Sequence, residues 1–164
     1  MVNDINSLEL IKDIFGIGSD RNDLSITVKN ETNENIVIDP YIKHGETKRM
    51  NPMLTIKPNG YWGVSIHADG EGSNVGMSIT FPDSKAFALM AATPDDKKNY
   101  LKASHSDAGY HSGKTAWDAA EKHKEHPATD NVLIWESGHV QLNATISVYS
   151  KPAVCEVVIS SSKP

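Results

Sequence analysis

The sequence predicts a mainly β protein, an antiparallel β-sandwich with an amphipathic N-terminal helix and a second short helix near 114–124. After Asp23, apolar residues recur at every second position in many short segments that polar turns separate. These segments show no βαβ rhythm, which favours packed antiparallel sheets over a parallel one. The 164 residues suffice for one hydrophobic core, so we expect a single domain over 1–164.

The first predicted element is a helix over residues 4–17, within an N-terminal segment 1–20. The glycines at 16 and 18 end this helix. It is about 20 Å long, shorter than the ~30 Å hydrocarbon core, so it could lie in a membrane interface but not span the bilayer. The alternative is a helix packed on its own sheet or on a second copy. The apolar side comprises Ile5, Leu8, Leu10, Ile11, Ile14, Phe15 and Ile17.

The strands follow in order, separated by polar turns such as 30–35 and 59–60. One of them, 85–92, is rich in alanine and precedes Pro94, which lacks the N–H that a strand ladder needs. The stretch 93–131 is polar, and within it we expect loops at 104–113 and a helix at 114–124. The predicted strands are 24–28, 35–38, 54–58, 62–66, 75–81, 85–92, 132–135, 139–149 and 154–159.

Composition excludes several classes of protein. A net charge of −5 argues against nucleic acid as a partner, because phosphate binding needs a basic face. The single cysteine, Cys155, allows no intramolecular disulfide, and we expect it to be buried. Seven histidines form no zinc framework, and no nucleophile elbow or phosphate loop occurs. We therefore expect no metal, no cofactor, no catalytic residue and no enzymatic activity.

The N-terminus shows no signal-peptide pattern, and no apolar run approaches a membrane span. We expect a soluble chain whose contact with membranes is conditional, and its location stays open. A secreted or released form that later associates with a membrane is compatible with this pattern.

Four regions together resemble a known family. They are the amphipathic N-terminal helix, the stretch Tyr41-Ile-Lys-His-Gly45 ahead of Pro52, the segment 85–100, and the two C-terminal strands. Their order resembles the actinoporins, which are pore-forming cytolysins with a β-sandwich and a detachable N-terminal helix. Fungal fruit-body lectins belong to the same fold superfamily.

The resemblance implies a head-group or glycan site at Lys43, His44, Pro94, Tyr100 and Trp117. Other ring positions of the family site are occupied here by Asn99, Ala103, Glu121 and Lys122. Since each ring face contributes about 0.5–2 kcal/mol to holding a quaternary ammonium, we expect weak retention of choline. Ordinary core or rim packing of Tyr100 and Trp117 is the alternative.

The function that the resemblance implies is membrane binding followed by pore formation. The loops adsorb, the N-terminal helix inserts, and several copies assemble because one short helix cannot line a channel. The partner is then a lipid membrane, with a homo-oligomer forming on it. The alternative is a lectin-like module in which a cell-surface glycan stacks on Trp117, Tyr100 or Trp62. A structural protein that keeps only the fold is the third hypothesis.

Overall fold

The computed structural model describes residues 23–94, 98–122, 131–148 and 152–161, which contain eleven strands and one helix. The helix, α1, spans Gly113–Lys122. The helix predicted over 4–17, with its apolar residues from Ile5 to Ile17, lies outside the described residues. The strands are β1 (Leu24–Glu31), β2 (Ile36–His44), β3 (Glu46–Met50), β4 (Thr55–Ile56), β5 (Tyr61–His67), β6 (Ser73–Thr80), β7 (Ala86–Thr93), β8 (Tyr100–Ser106), β9 (Val132–Ser137), β10 (Val140–Ile146) and β11 (Ala153–Ser161).

The strands form two sheets, as expected for a sandwich. The first sheet has the order β3-β5-β1-β11-β10-β9 and the second has the order β4-β2-β6-β7-β8. One pair differs from the predicted antiparallel arrangement, because β1 and β11 are parallel, with Leu24 opposite Ala153. The two strands start at the same end of the sheet, where the Ala153 N–H donates to the Asp23 carbonyl at 2.9 Å. The described chain thus closes its first strand against its last.

The hydrophobic core lies between the sheets, and alternation along the strands supplies it. The first sheet contributes residues such as Ile26 and Leu142, and the second contributes Ile38 and Leu89, all essentially inaccessible to solvent. Cys155 is buried there as predicted, and burial raises the pKa of its thiol to about 12. The residues on these inward faces are most of the apolar residues that recur at every second position in the sequence.

Trp62 also lies in this core, fully buried on β5, where its Nε1–H donates to the Asn51 carbonyl at 3.1 Å. The prediction that a glycan could stack on Trp62 is therefore wrong, because the ring has no exposed face. Its polar edge is satisfied internally, as a buried indole requires.

Helix α1 covers the outer face of the second sheet, and this explains the alanine-rich strand β7. Every residue of β7 is buried, because one face meets the core and the other meets the helix. Ala88 and Ala92 pack against Ala116 and Ala120 of α1 in a cluster separate from the main core. Small side chains on both elements let the helix approach the sheet closely.

Some boundaries differ from the predictions. The segment 54–58 contributes only the two-residue strand β4, since Pro58 cannot donate to a ladder. Residues 104–106, expected in a loop, belong to β8. The polar strand β3 was not predicted, β10 ends at Ile146, and α1 starts one residue earlier than expected.

Candidate functional site

The site begins with the anchoring of α1 on the outer face of the second sheet. Ser112 precedes the helix, and its hydroxyl accepts the Thr115 N–H at 3.2 Å, as an N-cap does. The Gly113 N–H donates to the Asp39 carboxylate of β2 at 2.9 Å. A side chain at position 113 would collide with the backbone carbonyls of Asp39 and Pro40, so glycine allows this close approach. The helix N-terminus is thereby fixed to β2.

Trp117 is held rigidly one turn further along α1. Its ring and Cβ lie directly over Gly76 of β6, where any side chain would overlap them. The indole Nε1–H donates to Asn74 Oδ1 at 2.8 Å. The ring is half-buried, so part of it faces solvent although its position is fixed.

Tyr41 of β2 completes an aromatic pair with Trp117. The ring centroids are 6.0 Å apart and the planes meet at 68°, an edge-to-face geometry. Lysines lie over both rings. The Lys43 Nζ is 5.6 Å from the Trp117 centroid, and the Lys114 Nζ is 5.9 Å from the Tyr41 centroid. We call Tyr41, Lys43, Asn74, Lys114 and Trp117 the lysine–aromatic surface.

The two lysines differ in their electrostatic surroundings. Lys114 pairs with Asp118 at 3.2 Å, four residues along the helix. Lys43 is exposed, and no carboxylate of the described residues forms a salt bridge with it. Its ammonium is therefore the group that an incoming anion can approach without first displacing an acid.

The predicted site residues Lys43 and Trp117 are thus brought together, but His44 is not part of their cluster. A β-bulge between Ile42 and His44 shifts the register of β2 against β6. The His44 Nδ1 lies 3.2 Å from Asp69, whose carboxylate also accepts the N–H groups of Glu71 and Gly45. Those hydrogen bonds, led by that of Glu71, hold the pKa of Asp69 below its ordinary value. His44 therefore contacts the turn that carries Asp69.

Pro94 and Tyr100 lie at the same end of the second sheet. Pro94 follows β7, and Gly72, with φ of +93°, packs against the backbone of Thr93 and Pro94. Tyr100 opens β8 opposite Ala92 and packs on the alanine cluster beneath α1. Burial, and after it the charge of Glu121, raises the pKa of the Tyr100 hydroxyl. Tyr100 is thus a packing residue at the rim of the helix.

Two of the other ring positions implied by the family are structural here. The Asn99 amide donates to the Ser147 carbonyl at 3.0 Å and ties β8 to the turn after β10. Ala103 is fully buried on the inner face of β8, so a ring there would enter the core. Glu121 and Lys122 are exposed on the last turn of α1.

Sequence reasoning missed Tyr41, Asn74 and Lys114 as site residues. Lys114 could have been found, because residues three apart on a helix share a face and Trp117 was already a candidate. Tyr41 and Lys43 are two apart on a strand, which also predicts a shared face. No sequence signal connects Asn74 with Trp117, since only the packing of α1 on β6 brings them together.

The described residues form no helix that is both long enough and apolar enough to cross a bilayer. Nor do any three histidine, cysteine, aspartate or glutamate side chains in these ranges group together as a metal site requires.

No protein-family model matches the sequence, and no curated protein matches it. Solved structures do share its fold. The lipid-binding protein Nakanori superposes with a TM-score of 0.67 at 14% identity, over 91% of this chain and 74% of Nakanori. A mutated form of the lectin XCL from Xerocomus chrysenteron gives 0.54 at 10% identity, over 87% of this chain and 100% of the lectin. Wild-type XCL gives 0.50 at 11% identity, over 84% and 99%. The chain has the fold of these proteins.

Proposed function

We propose that this protein is a binding module, not an enzyme, and that it adsorbs to lipid membranes through the lysine–aromatic surface. The observation that carries the proposal is the rigid Tyr41–Trp117 pair with a lysine ammonium over each ring. Tryptophan and tyrosine favour the membrane–water interface, and lysines are attracted to lipid phosphates. The fold shared with lipid-binding Nakanori supports the same reading.

The expected head group is an anionic phosphate and not a choline cage. A quaternary ammonium is held by open ring faces, but here Lys43 and Lys114 already lie over the two rings. A choline would have to approach two positive charges, whereas a phosphate would meet them. Lys43 acts first in this scheme because it has no described carboxylate partner.

The test is co-sedimentation with vesicles of phosphatidylcholine alone and of phosphatidylcholine mixed with phosphatidylserine. One basic residue near an anionic surface is worth about 1 kcal/mol, so Lys43→Gln should lower the partition coefficient about fivefold on the mixed vesicles. Lys57→Gln is the matched control. Lys57 is exposed, and its neighbour Ile56 pairs with the start of β2, at the end of that strand away from Lys43. Equal losses from the two substitutions would contradict the proposal.

Pore formation is the second step that we propose. After adsorption, the N-terminal segment with Ile5, Leu8, Leu10, Ile11, Ile14, Phe15 and Ile17 detaches, inserts its apolar side and assembles with further copies. Dye-loaded vesicles test this step separately from adsorption. A protein lacking residues 1–20 should still sediment with vesicles but release no dye. Undiminished leakage from that variant would refute insertion.

A glycan is the second candidate ligand, and the half-buried Trp117 beside the Asn74 amide favours it. An indole face packs against the apolar face of a sugar, while amides bond its hydroxyls. Fold similarity to the lectin XCL supports this alternative. Retention on immobilised glycans, abolished by Trp117→Ala and without dye release from vesicles, would favour the lectin function over the membrane function.

A further inference from the structure

A cavity of about 410 Å³ opens at the other end of the sandwich from Lys43 and Pro94. Segments of both sheets meet there. The β1–β2 turn brings Glu34, the β6–β7 turn brings Asp83 and Lys85, and the end of β8 brings His105 and Asp107. The β9–β10 turn forms the remaining wall. None of these residues belongs to the lysine–aromatic surface.

Negative charge dominates the lining. Glu34, Asp83 and Asp107 come from three different segments and are all exposed. Lys85 is the one lysine or arginine among the described residues that line the cavity. Asp83 Oδ1 accepts the Lys85 backbone N–H at 3.0 Å, which orients this carboxylate within its turn. The two oxygens of a carboxylate can accept several hydrogen bonds at once, so each of these acids can still accept a hydrogen bond from a ligand.

His105 gives the cavity an uncharged polar floor. Its ring stacks edge-to-face on the core residue Phe87, with centroids 5.1 Å apart, and its side chain is only 11% exposed. Its Nδ1 lies 3.3 Å from the Ser137 hydroxyl, which places Nε2 on the other edge of the ring. Burial lowers the pKa of this imidazole, so at neutral pH it adds no positive charge to the cavity.

We infer that this cavity binds a small organic di- or polyamine, with ammonium groups paired to Glu34, Asp83 and Asp107 and methylenes against Phe81. The sign of the lining charge disfavours phosphates and other anions. Among the described residues no three acids or histidines converge on one point as a metal ion requires. The three carboxylates come from three different segments of the chain and share the lining with Phe81, which suits several cationic groups on one flexible chain better than a single ion. This inference is independent of membrane binding.

Calorimetric titration with spermidine, putrescine and butanediol tests the inference without lipid. We expect spermidine to bind more tightly than putrescine, butanediol not to bind, and added salt to weaken the amines. The double variant Glu34→Gln/Asp107→Asn should bind spermidine about tenfold more weakly. Glu46→Gln/Glu121→Gln removes the same charge from exposed positions outside the cavity lining and should change affinity less than twofold.

Three outcomes would overturn the inference. Equal losses in the two double variants would mean that amines follow only the overall charge of −5. Binding of butanediol or of a neutral saccharide at the cavity in place of amines would show that its charge does not select the ligand. Spermidine that leaves the ring signals of His105 and Trp135 unchanged in NMR spectra would place it elsewhere.

Discussion

Gly76→Ala is the substitution that most sharply tests how the site is built. Gly76 lies on β6 beneath Trp117, and its φ is not positive, so the backbone there accepts alanine. The new Cβ would stand 2.6 Å from Trp117 Cδ1, 2.8 Å from its Cβ and 3.0 Å from its Cγ. Ordinary contacts begin near 3.4 Å, so the indole must move by most of an ångström. That movement strains its bond to Asn74 and its contact with Tyr41.

The change in the free energy of unfolding that Gly76→Ala causes is the sum of two opposing effects. Overpacking of a fixed ring costs about 1–3 kcal/mol. Replacing glycine by alanine stiffens the unfolded chain and offsets about 0.4–1 kcal/mol of that. We expect a net loss of about 1–2 kcal/mol in the free energy of unfolding, or a fall in Tm of about 2–8 °C for a chain of this size. Vesicle binding should fall as well, since the lysine–aromatic surface loses its geometry.

Urea unfolding and vesicle co-sedimentation measure both effects. Gly70→Ala is the matched control, because nothing lies within 4 Å of a Cβ there, and it should change stability by less than about 0.5 kcal/mol. In a Trp117→Ala background the Gly76→Ala change should become neutral or stabilising. If Gly76→Ala costs the same with and without the indole, the ring does not rest on Gly76 and the reasoning fails.

Three further predictions concern the rest of the molecule. Asn30→Ala should lower the free energy of unfolding in urea by about 2–4 kcal/mol. The buried Asn30 amide donates to the Glu34 and Ile56 carbonyls, and its oxygen accepts from Thr32. A loss under about 1 kcal/mol would contradict this prediction. Burial lowers the pKa of His105, so the unfolded chain takes up that proton more readily and stability falls as pH drops below about 6.5. The charged groups that act on the His105 ring are Asp107, Lys85 and Asp83, and the rings of Phe87 and Trp135 pack against it. The His105→Phe variant should therefore lose less Tm than the wild type when the pH is lowered. Parallel curves of Tm against pH would refute the assignment to His105. Cys155, with its pKa raised to about 12, should react with thiol reagents only at the rate of unfolding, and fast labelling of the native protein would contradict its burial.

Most strands were predicted because apolar and polar residues alternate along them, as in β1 and β10. Strand β7 has no such alternation, because both of its faces are buried. Strand β7 was recognisable from its alanines and Pro94, and their reason is now clear, since α1 packs against Ala88 and Ala92. Strand β3 gave no such signal because only Met50 is partly buried. In β8 the inward series Leu101 and Ala103 ends with His105, a polar residue that faces Phe87, so the alternation is broken.

The candidate site was predictable only in part. Lys43 and Trp117 followed from the family resemblance, and the fold brings them within cation–π distance. His44 is adjacent to Lys43 in the chain, yet the β-bulge next to it changes the register and places it at Asp69. A single extra residue in a strand carries no compositional mark. Adjacent residues of a strand face opposite sides, so alternation would have separated Lys43 from His44 if 41–44 had been predicted as strand, whereas the contact of His44 with Asp69 had no sequence signal.

Tryptophan emission during vesicle titration tests the central claim most directly, with Trp117→Phe as the comparison because phenylalanine preserves much of the packing over Gly76. Trp62 and Trp135 are present in both proteins, so the difference between their spectra reports on position 117. We predict a blue shift on anionic vesicles and protection from iodide quenching in the wild type, with both effects largely lost in Trp117→Phe. The same shift in both proteins, or a Trp117 signal that iodide still quenches on the vesicle, would contradict docking through the lysine–aromatic surface.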